Sequence, residues 1–336
     1  MKFRLIIGGM LAAAIASPVQ AQTSQCASGV TQDACQKAVD LFNFMTPQLS
    51  TAIASGNPTL GQGGALGGLG HFSIDLRGSA VNGSLPTLSN VGLSTNGAQH
   101  STFTSKNQLI PMVSADAALG LWRGYSLGVT HVGGVDAIVT LTYLPNITQG
   151  SNNGGSGGGS DKTKITVNNN TAVGYGFRLG LLEESAITPG VSFAWVQRNL
   201  PSITATAHVD SQPPQPSGDL TLSNFTVKTS DWRVTVAKSF LIFGLSAGYG
   251  QDKYAANSTM LFTVNGPFGG NSQQANNLAM TRTNYFVGAF MNMFIFKLEG
   301  EFGQVSGGTL PSAFNNFGSD AAKSRSYFTL GLRFGR

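Results

Sequence analysis

The charged residues of this chain are few, and they recur at every second position of short segments. Asp75 and Arg77, Asp231 and Arg233, and Lys297, Glu299 and Glu301 each sit two residues apart. Comparable segments carry Asp116, Asp136, Arg178, Arg198, Asp252, Arg282, Arg325 and Arg333 at positions that alternate with apolar ones. In an extended chain residues i and i+2 share a face, so acids and bases spaced this way line one side of a sheet. Two chemistries follow. Charges of both signs around a passage sort solutes by charge. The same charges, paired with one another, brace an enclosed interior.

The other reactive residue types form no constellation. His71, His100, His131 and His208 show no metal-ligand spacing with each other or with cysteine. His208 and Asp210 share one face of an extended segment, but a hydrolytic site there needs a second acidic pair to hold water, and the loops offer none. A solvated loop histidine is the expectation. Serines are too numerous for a Ser–His triad to be singled out, and no glycine–lysine phosphate element occurs. No catalytic residue, metal or cofactor is assigned, and the protein is read as a non-enzyme.

The ends of the chain define the compartment. Lys2 and Arg4 precede an apolar run of about a dozen residues, too short for a typical spanning helix of roughly 20, and Val19-Gln20-Ala21 follows as a cleavage site. Residues 1–21 are therefore expected to be a cleaved secretory signal. Export makes a disulfide between Cys26 and Cys35 the expected state. Losing Lys2 and Arg4 leaves 18 basic residues against 15 acidic ones, spread singly, which is no footprint for nucleic acid. Only 10% of the residues are charged, against about a quarter in soluble domains, and 44 are glycine. After residue 21 no apolar run is long enough for a membrane helix.

The elements that carry the charges follow from periodicity. In residues 22–70, Ala38, Leu41, Phe42, Met45, Leu49 and Ile53 fall at helical spacing, and Pro47 is expected to split or kink that helix. Gly56-Asn57-Pro58 and a glycine-rich run follow. This segment reads equally as a plug inside a barrel or as a periplasmic cap or loosely ordered tail. In residues 71–336 the period becomes two. Phe72, Ile74 and Leu76 oppose Ser73, Asp75 and Arg77, and Phe328, Leu330, Leu332 and Phe334 oppose Arg325, Tyr327, Thr329, Gly331 and Arg333. About ten such segments occur, and their apolar faces are free of charge over roughly the ten residues a tilted strand needs to cross a bilayer. Short links near 182–188, 239–242 and 292–295, with a longer one at 123–134, alternate with polar stretches near 84–110, 145–163, 206–219, 264–280 and 307–322. Residues 151–160 are nearly all Gly, Ser and Asn and carry no site.

The fold class is therefore an all-β antiparallel transmembrane β-barrel of about ten strands, with twelve also compatible, preceded by a small helical segment. Short turns alternating with long loops is the outer-membrane pattern. At ten strands the interior lies near the size that side chains fill, so most of the fifteen charges are expected to brace it, leaving room for a narrow path. The terminal segment from Tyr327 to Arg336 resembles the last strand of bacterial outer-membrane proteins, with Phe334 third from the end. That resemblance implies recognition by the barrel-assembly machinery and contact with outer-membrane lipid. A helical segment, Asn57-Pro58 and then a barrel resembles, distantly, the fatty-acid transporter type, although Thr59 follows where alanine is expected and that type has fourteen strands. It implies a plugged lumen and passive transport of small or hydrophobic solutes. A structural or surface-interaction barrel is the alternative, and a barrel hydrolase a third reading.

Overall fold

The computed structural model describes residues 25–87, 91–144, 163–209, 216–267 and 269–335. Residues 1–21, expected to be a signal, the Gly/Ser stretch 151–160 and Asp210 lie outside them. One helix, α1 (Gln32–Ala54), precedes fourteen strands: β1 (Phe72–Thr87), β2 (Thr104–Trp122), β3 (Tyr125–Leu127), β4 (Thr130–Val132), β5 (Gly134–Tyr143), β6 (Thr163–Val167), β7 (Thr171–Leu182), β8 (Gly190–Asn199), β9 (Ile203–Val209), β10 (Gly218–Phe240), β11 (Phe243–Val264), β12 (Gly270–Met293), β13 (Phe296–Val305) and β14 (Arg325–Gly335).

Ten of these close into a ring in the order β1-β2-β5-β7-β8-β10-β11-β12-β13-β14, every neighbouring pair antiparallel. The last strand returns to the first, from Ser73 opposite Gly335 to Val81 opposite Tyr327. Closure removes the unpaired edges an open sheet would expose. β6 and β9 continue β7 and β8 past short breaks and pair with each other, and β9 pairs with the far end of β10. β3 and β4 form a small hairpin within the 123–134 link.

Alternation decides which side chains face out. On β14 the buried residues are Arg325, Tyr327, Thr329, Gly331 and Arg333, while Phe328, Leu330, Leu332 and Phe334 are exposed. The outer rows are apolar around the ring, including Ile74 and Leu76 on β1, Leu109, Val113, Leu119 and Leu121 on β2, and Phe302 on β13. They end in an aromatic girdle: Tyr175 lies 6.0 Å from Trp195, Phe193 6.2 Å from Trp232, and Trp232 6.0 Å from Tyr249. Just beyond it the outer rows turn polar, at Gln197, Lys228, Gln251 and Lys253. Aromatic rings at the limit of an apolar band are what a membrane–water boundary selects.

Three expectations are corrected. Of the two outcomes expected at Pro47, the split does not occur, because the helix runs unbroken from Gln32 to Ala54. The backbone bond that proline removes is offset by enclosure, and the hydroxyls of Thr46 and Thr51 donate to the carbonyls of Phe42 and Pro47 at 2.8 Å each. The stretch 264–280 is mostly strand, because β12 starts at Gly270 and pairs with β11 over its whole length. The stretches near 84–110 and 206–219 likewise lose their ends to β1, β2, β9 and β10. Above the membrane both faces of a hairpin tolerate polar residues, so the alternation that marks a strand in lipid fades while its backbone pairing continues.

An arginine at an outer-row position in the middle of the band costs about 2–4 kcal/mol. Leu330→Arg is therefore expected to lower unfolding stability in lipid vesicles by that amount, whereas Gln251→Arg, beyond the girdle, should change it by under about 1 kcal/mol. Equal effects at the two positions would contradict the placement of the lipid band.

Candidate functional site

The lumen holds the N-terminal segment. α1 is enclosed over most of its surface, so even Asp33, Gln36, Asp40, Asn43, Gln48 and Ser50 are buried, while Leu41, Met45 and Leu49 form one half-buried stripe. Its first turns lie toward the long loops, where Cys26 and Cys35 form a disulfide with a Cα separation of 6.0 Å. In that half the lumen is apolar: Ala38, Val39, Phe42 and Ile53 of the helix pack with Val81, Val227, Met260 and Phe262 of the wall. Phe42 meets Phe225 edge-on at 5.7 Å, and Phe44 stacks on Phe317 at 4.5 Å. Loop backbone closes over polar helix positions: Ser94 and Gln99 donate their amides to Asp33 (2.9 Å each), and Asn315 donates its amide and side-chain nitrogen to Asp40 (2.8 Å each). Burial pushes the Asp40 carboxyl up from its usual range, and the Asn315 hydrogen bonds pull it partly back.

The other end of the helix stops in mid-lumen, and the predicted charges converge there. A helix leaves its last carbonyls without intrahelical donors, and α1 has no basic residue in its last turn. Three arginines of the wall supply the donors. Arg77 Nη1 donates to the carbonyls of Ser55 (2.7 Å) and Gly56 (2.6 Å). Arg198 donates from Nη1 to Ala54 (3.1 Å) and from Nη2 to Gly56 (3.3 Å). Arg233 Nη2 also donates to the Ala54 carbonyl. Each arginine has a carboxylate partner: Asp116 for Arg77 (2.9 Å), Asp231 for Arg198 (2.7 Å) and Asp252 for Arg233 (3.6 Å). Asp231 and Asp252 face each other across β10 and β11, as Asp75 and Asp116 do across β1 and β2. Like charges so placed repel, and the arginines between them make the arrangement tolerable.

Below this crown the chain is pinned residue by residue. Asn57 donates its amide to Glu301 (3.3 Å) and its side-chain nitrogen to Thr235 (3.1 Å), and its carbonyl oxygen accepts from Thr59. Lys297 donates to the Gly61 carbonyl (3.1 Å), Arg333 to Gln62 (2.7 Å), and the Leu66 amide to both oxygens of Asp136 (3.1 Å). Arg333 also pairs with Asp75 (2.6 Å) and Arg178 with Asp136 (2.5 Å). Glu299 accepts from Ser246 (3.2 Å). Of the fifteen predicted charges, fourteen are buried and Lys297 is half-buried. Arg282 and Arg325 stand apart, toward the long loops. The connector reaches the wall through glycines: a methyl at Gly180 would stand 2.8 Å from the Ala65 nitrogen, and one at Gly190 2.9 Å from the carbonyl carbon of Gly63.

Several residues escaped the sequence reading. Tyr327 donates its hydroxyl toward Asn284 and Glu301 (3.1 Å each), and Gln48 accepts from the Ser84 amide (2.6 Å). Tyr327 shares a face with Arg325 and Arg333, a signal that was present. Nothing local marks Gln48. His208 bonds Asp219 across β9 and β10 (2.6 Å), half-exposed. Among the described residues no cluster of metal ligands occurs.

Two outcomes test this geometry. Removing one partner of a buried ion pair costs about 3–5 kcal/mol, so Arg198→Gln should lower the unfolding midpoint in denaturant and speed hydrogen exchange of the amides around Ala54 to Gly61. Unchanged exchange there would show that the crown does not hold the helix. Gly180→Val should speed exchange in residues 62–70 while leaving β11 and β12 protected; equal protection of the connector in both proteins would remove the glycine seat.

No protein-family model matches the chain, and no curated protein matches its sequence. Among solved structures it is similar to the outer membrane protease OmpT from Escherichia coli, with 11% identity, 80% of this chain and 97% of that one covered, and a TM-score of 0.40. It is also similar to Ail, the attachment invasion locus protein of Yersinia pestis (10% identity, 79% and 99% covered, TM-score 0.26), and to the Pseudomonas putida toluene transporter TodX (14% identity, 85% and 93% covered, TM-score 0.33). With every one of these TM-scores below 0.5, function has to be argued from the chain's own residues.

Proposed function

We propose that the protein is an outer-membrane β-barrel that passes small solutes passively, and that its own N-terminal helix is the closure of the passage. The apolar outer rows and their girdle support the membrane placement, with the long loops outside and the short turns toward the periplasm. The observation that carries transport is the way the lumen is closed. The ring of strands is complete without residues 25–70, and the helix end is held in it by hydrogen bonds from arginines to backbone carbonyls. Neither the pairing nor the closure of the ring uses these bonds, so the helix end can be released with the wall left whole, in a way that a wall side chain packed into a core cannot. β14, with its alternate apolar residues, is the segment offered to the assembly machinery, and the role is read as non-enzymatic.

A second reading, a structural or surface-interaction barrel, is favoured by one observation: the apolar half of the helix packs into the wall as a true core. Channel recording in planar bilayers separates the two. An Arg198→Gln/Arg233→Gln variant and a chain lacking residues 22–70 are both expected to conduct at least tenfold more than the intact protein. If both fold, shown by faster migration of the unboiled form on a detergent gel, and conduct no more than the intact protein, the transport reading fails.

A further inference from the structure

Five of the seven luminal arginines have an aspartate within ion-pair distance: Arg77, Arg178, Arg198, Arg233 and Arg333. Arg282 and Arg325 have no such partner among the described residues, and both are almost completely buried, at 1% and 3% exposure. They flank one stretch of backbone. Arg325 is opposite Val305 in the β13–β14 register, and Arg282 Nε donates to the next carbonyl, Ser306, at 2.6 Å. Arg282 also bonds the Lys323 carbonyl (2.7 Å), the Thr51 hydroxyl (3.3 Å) and the Tyr254 side chain, all uncharged partners. Arg325 makes one bond, from Nη1 to the Asn82 carbonyl (3.1 Å), and its Nε and Nη2 are buried without an acceptor. Tyr254 stands beside Arg282, its hydroxyl turned to Met280.

The nearest acids are committed elsewhere. Asp252 is opposite Arg282 in the β11–β12 register, but its oxygens face Arg233 (3.6 Å) and Asn284 (2.9 Å). Asp320, exposed on the covering loop, accepts the Ala322 amide (2.8 Å) and attracts Arg325 from beyond ion-pair distance, without contact to either arginine. A guanidinium cannot shed its proton in a protein, and a buried charge without a partner is strongly destabilising. Two such charges side by side, with free N–H groups on one of them, match the forked donors that bind carboxylate and phosphate groups.

We propose that Arg282 and Arg325 form a binding site for a small soluble oxyanion, a carboxylate or phosphate group, at the long-loop end of the lumen beside the helix. The loop 306–324 covers it, and the ligand enters from the outer side. Nη2 and Nε of Arg325 are its first donors, and Arg282 supplies the second positive charge. The site goes beyond the transport reading and does not depend on it, because binding can occur whether or not the lumen conducts.

The test is calorimetric titration of the full-length detergent-folded protein with inorganic phosphate at constant ionic strength set by chloride. Replacing Arg282 would also cut its bonds to Ser306 and Lys323, so the primary variant is Arg325→Gln, which leaves those bonds in place. Lys228→Gln, on the exposed outer face of β10, controls for net charge. Saturable binding that weakens at least tenfold in Arg325→Gln and holds in Lys228→Gln is the expected result. Absence of saturable binding at millimolar phosphate, equal affinity in wild type and Arg325→Gln, or equal loss in both variants would overturn the site.

Discussion

A helix that ends inside a protein must find donors for its last carbonyls, and everything else in this lumen is arranged around that need. Water is not at hand in mid-barrel, and a buried carbonyl without a partner costs about 1–3 kcal/mol. Cationic side chains are suited to this end of a helix, where the aligned peptide dipoles leave a partial negative charge. Arg77 comes from β1, and Arg198 and Arg233 come from the neighbouring β8 and β10, which the ring brings to the same level from much later in the sequence. Their aspartate partners hold the guanidinium groups in place and cancel a charge that could not otherwise be buried. The helix, the arginines and the aspartates thus depend on one another.

That dependence divides the lumen into two environments. Toward the long loops the helix is surrounded by apolar side chains, and its packing resembles an ordinary core. From the crown downward it becomes a connector of small residues held by hydrogen bonds. Here the wall turns to glycine, because a backbone lying directly against a strand leaves no space for a Cβ. Gly120, Gly134, Gly180, Gly190 and Gly331 share this origin, since a narrow interior has to hold both its own side chains and a second length of chain.

Every wall arginine from the crown to the short turns pairs with an aspartate, whereas the two wall arginines nearer the long loops do not. The wall arginines there lie beneath polar loops rather than against the helix end, and neither caps its carbonyls. They are also the arginines that no aspartate of the wall reaches, which sets the outer end of the lumen apart electrostatically from the rest.

Which way each side chain points was legible in the sequence, because period-two alternation is a local property of an extended chain and needs no knowledge of neighbours. For the same reason the ten-membered ring could be read from the recurrence of that pattern and from the contrast between short and long connections, and the Cys26–Cys35 bond from two nearby cysteines in a chain whose first residues read as a secretory signal. The tertiary structure alone decided that α1 passes unbroken through Pro47, since enclosure outweighs a lost backbone bond, and that β12 begins at Gly270, since pairing with β11 does not require a lipid-facing row. It also decided which acid meets which base and which arginines reach Ala54, Ser55 and Gly56. The ion pairs join neighbouring strands of the ring and the arginine–carbonyl contacts join the wall to α1, so their geometry exists only once the strand register is set and the helix is seated in the lumen.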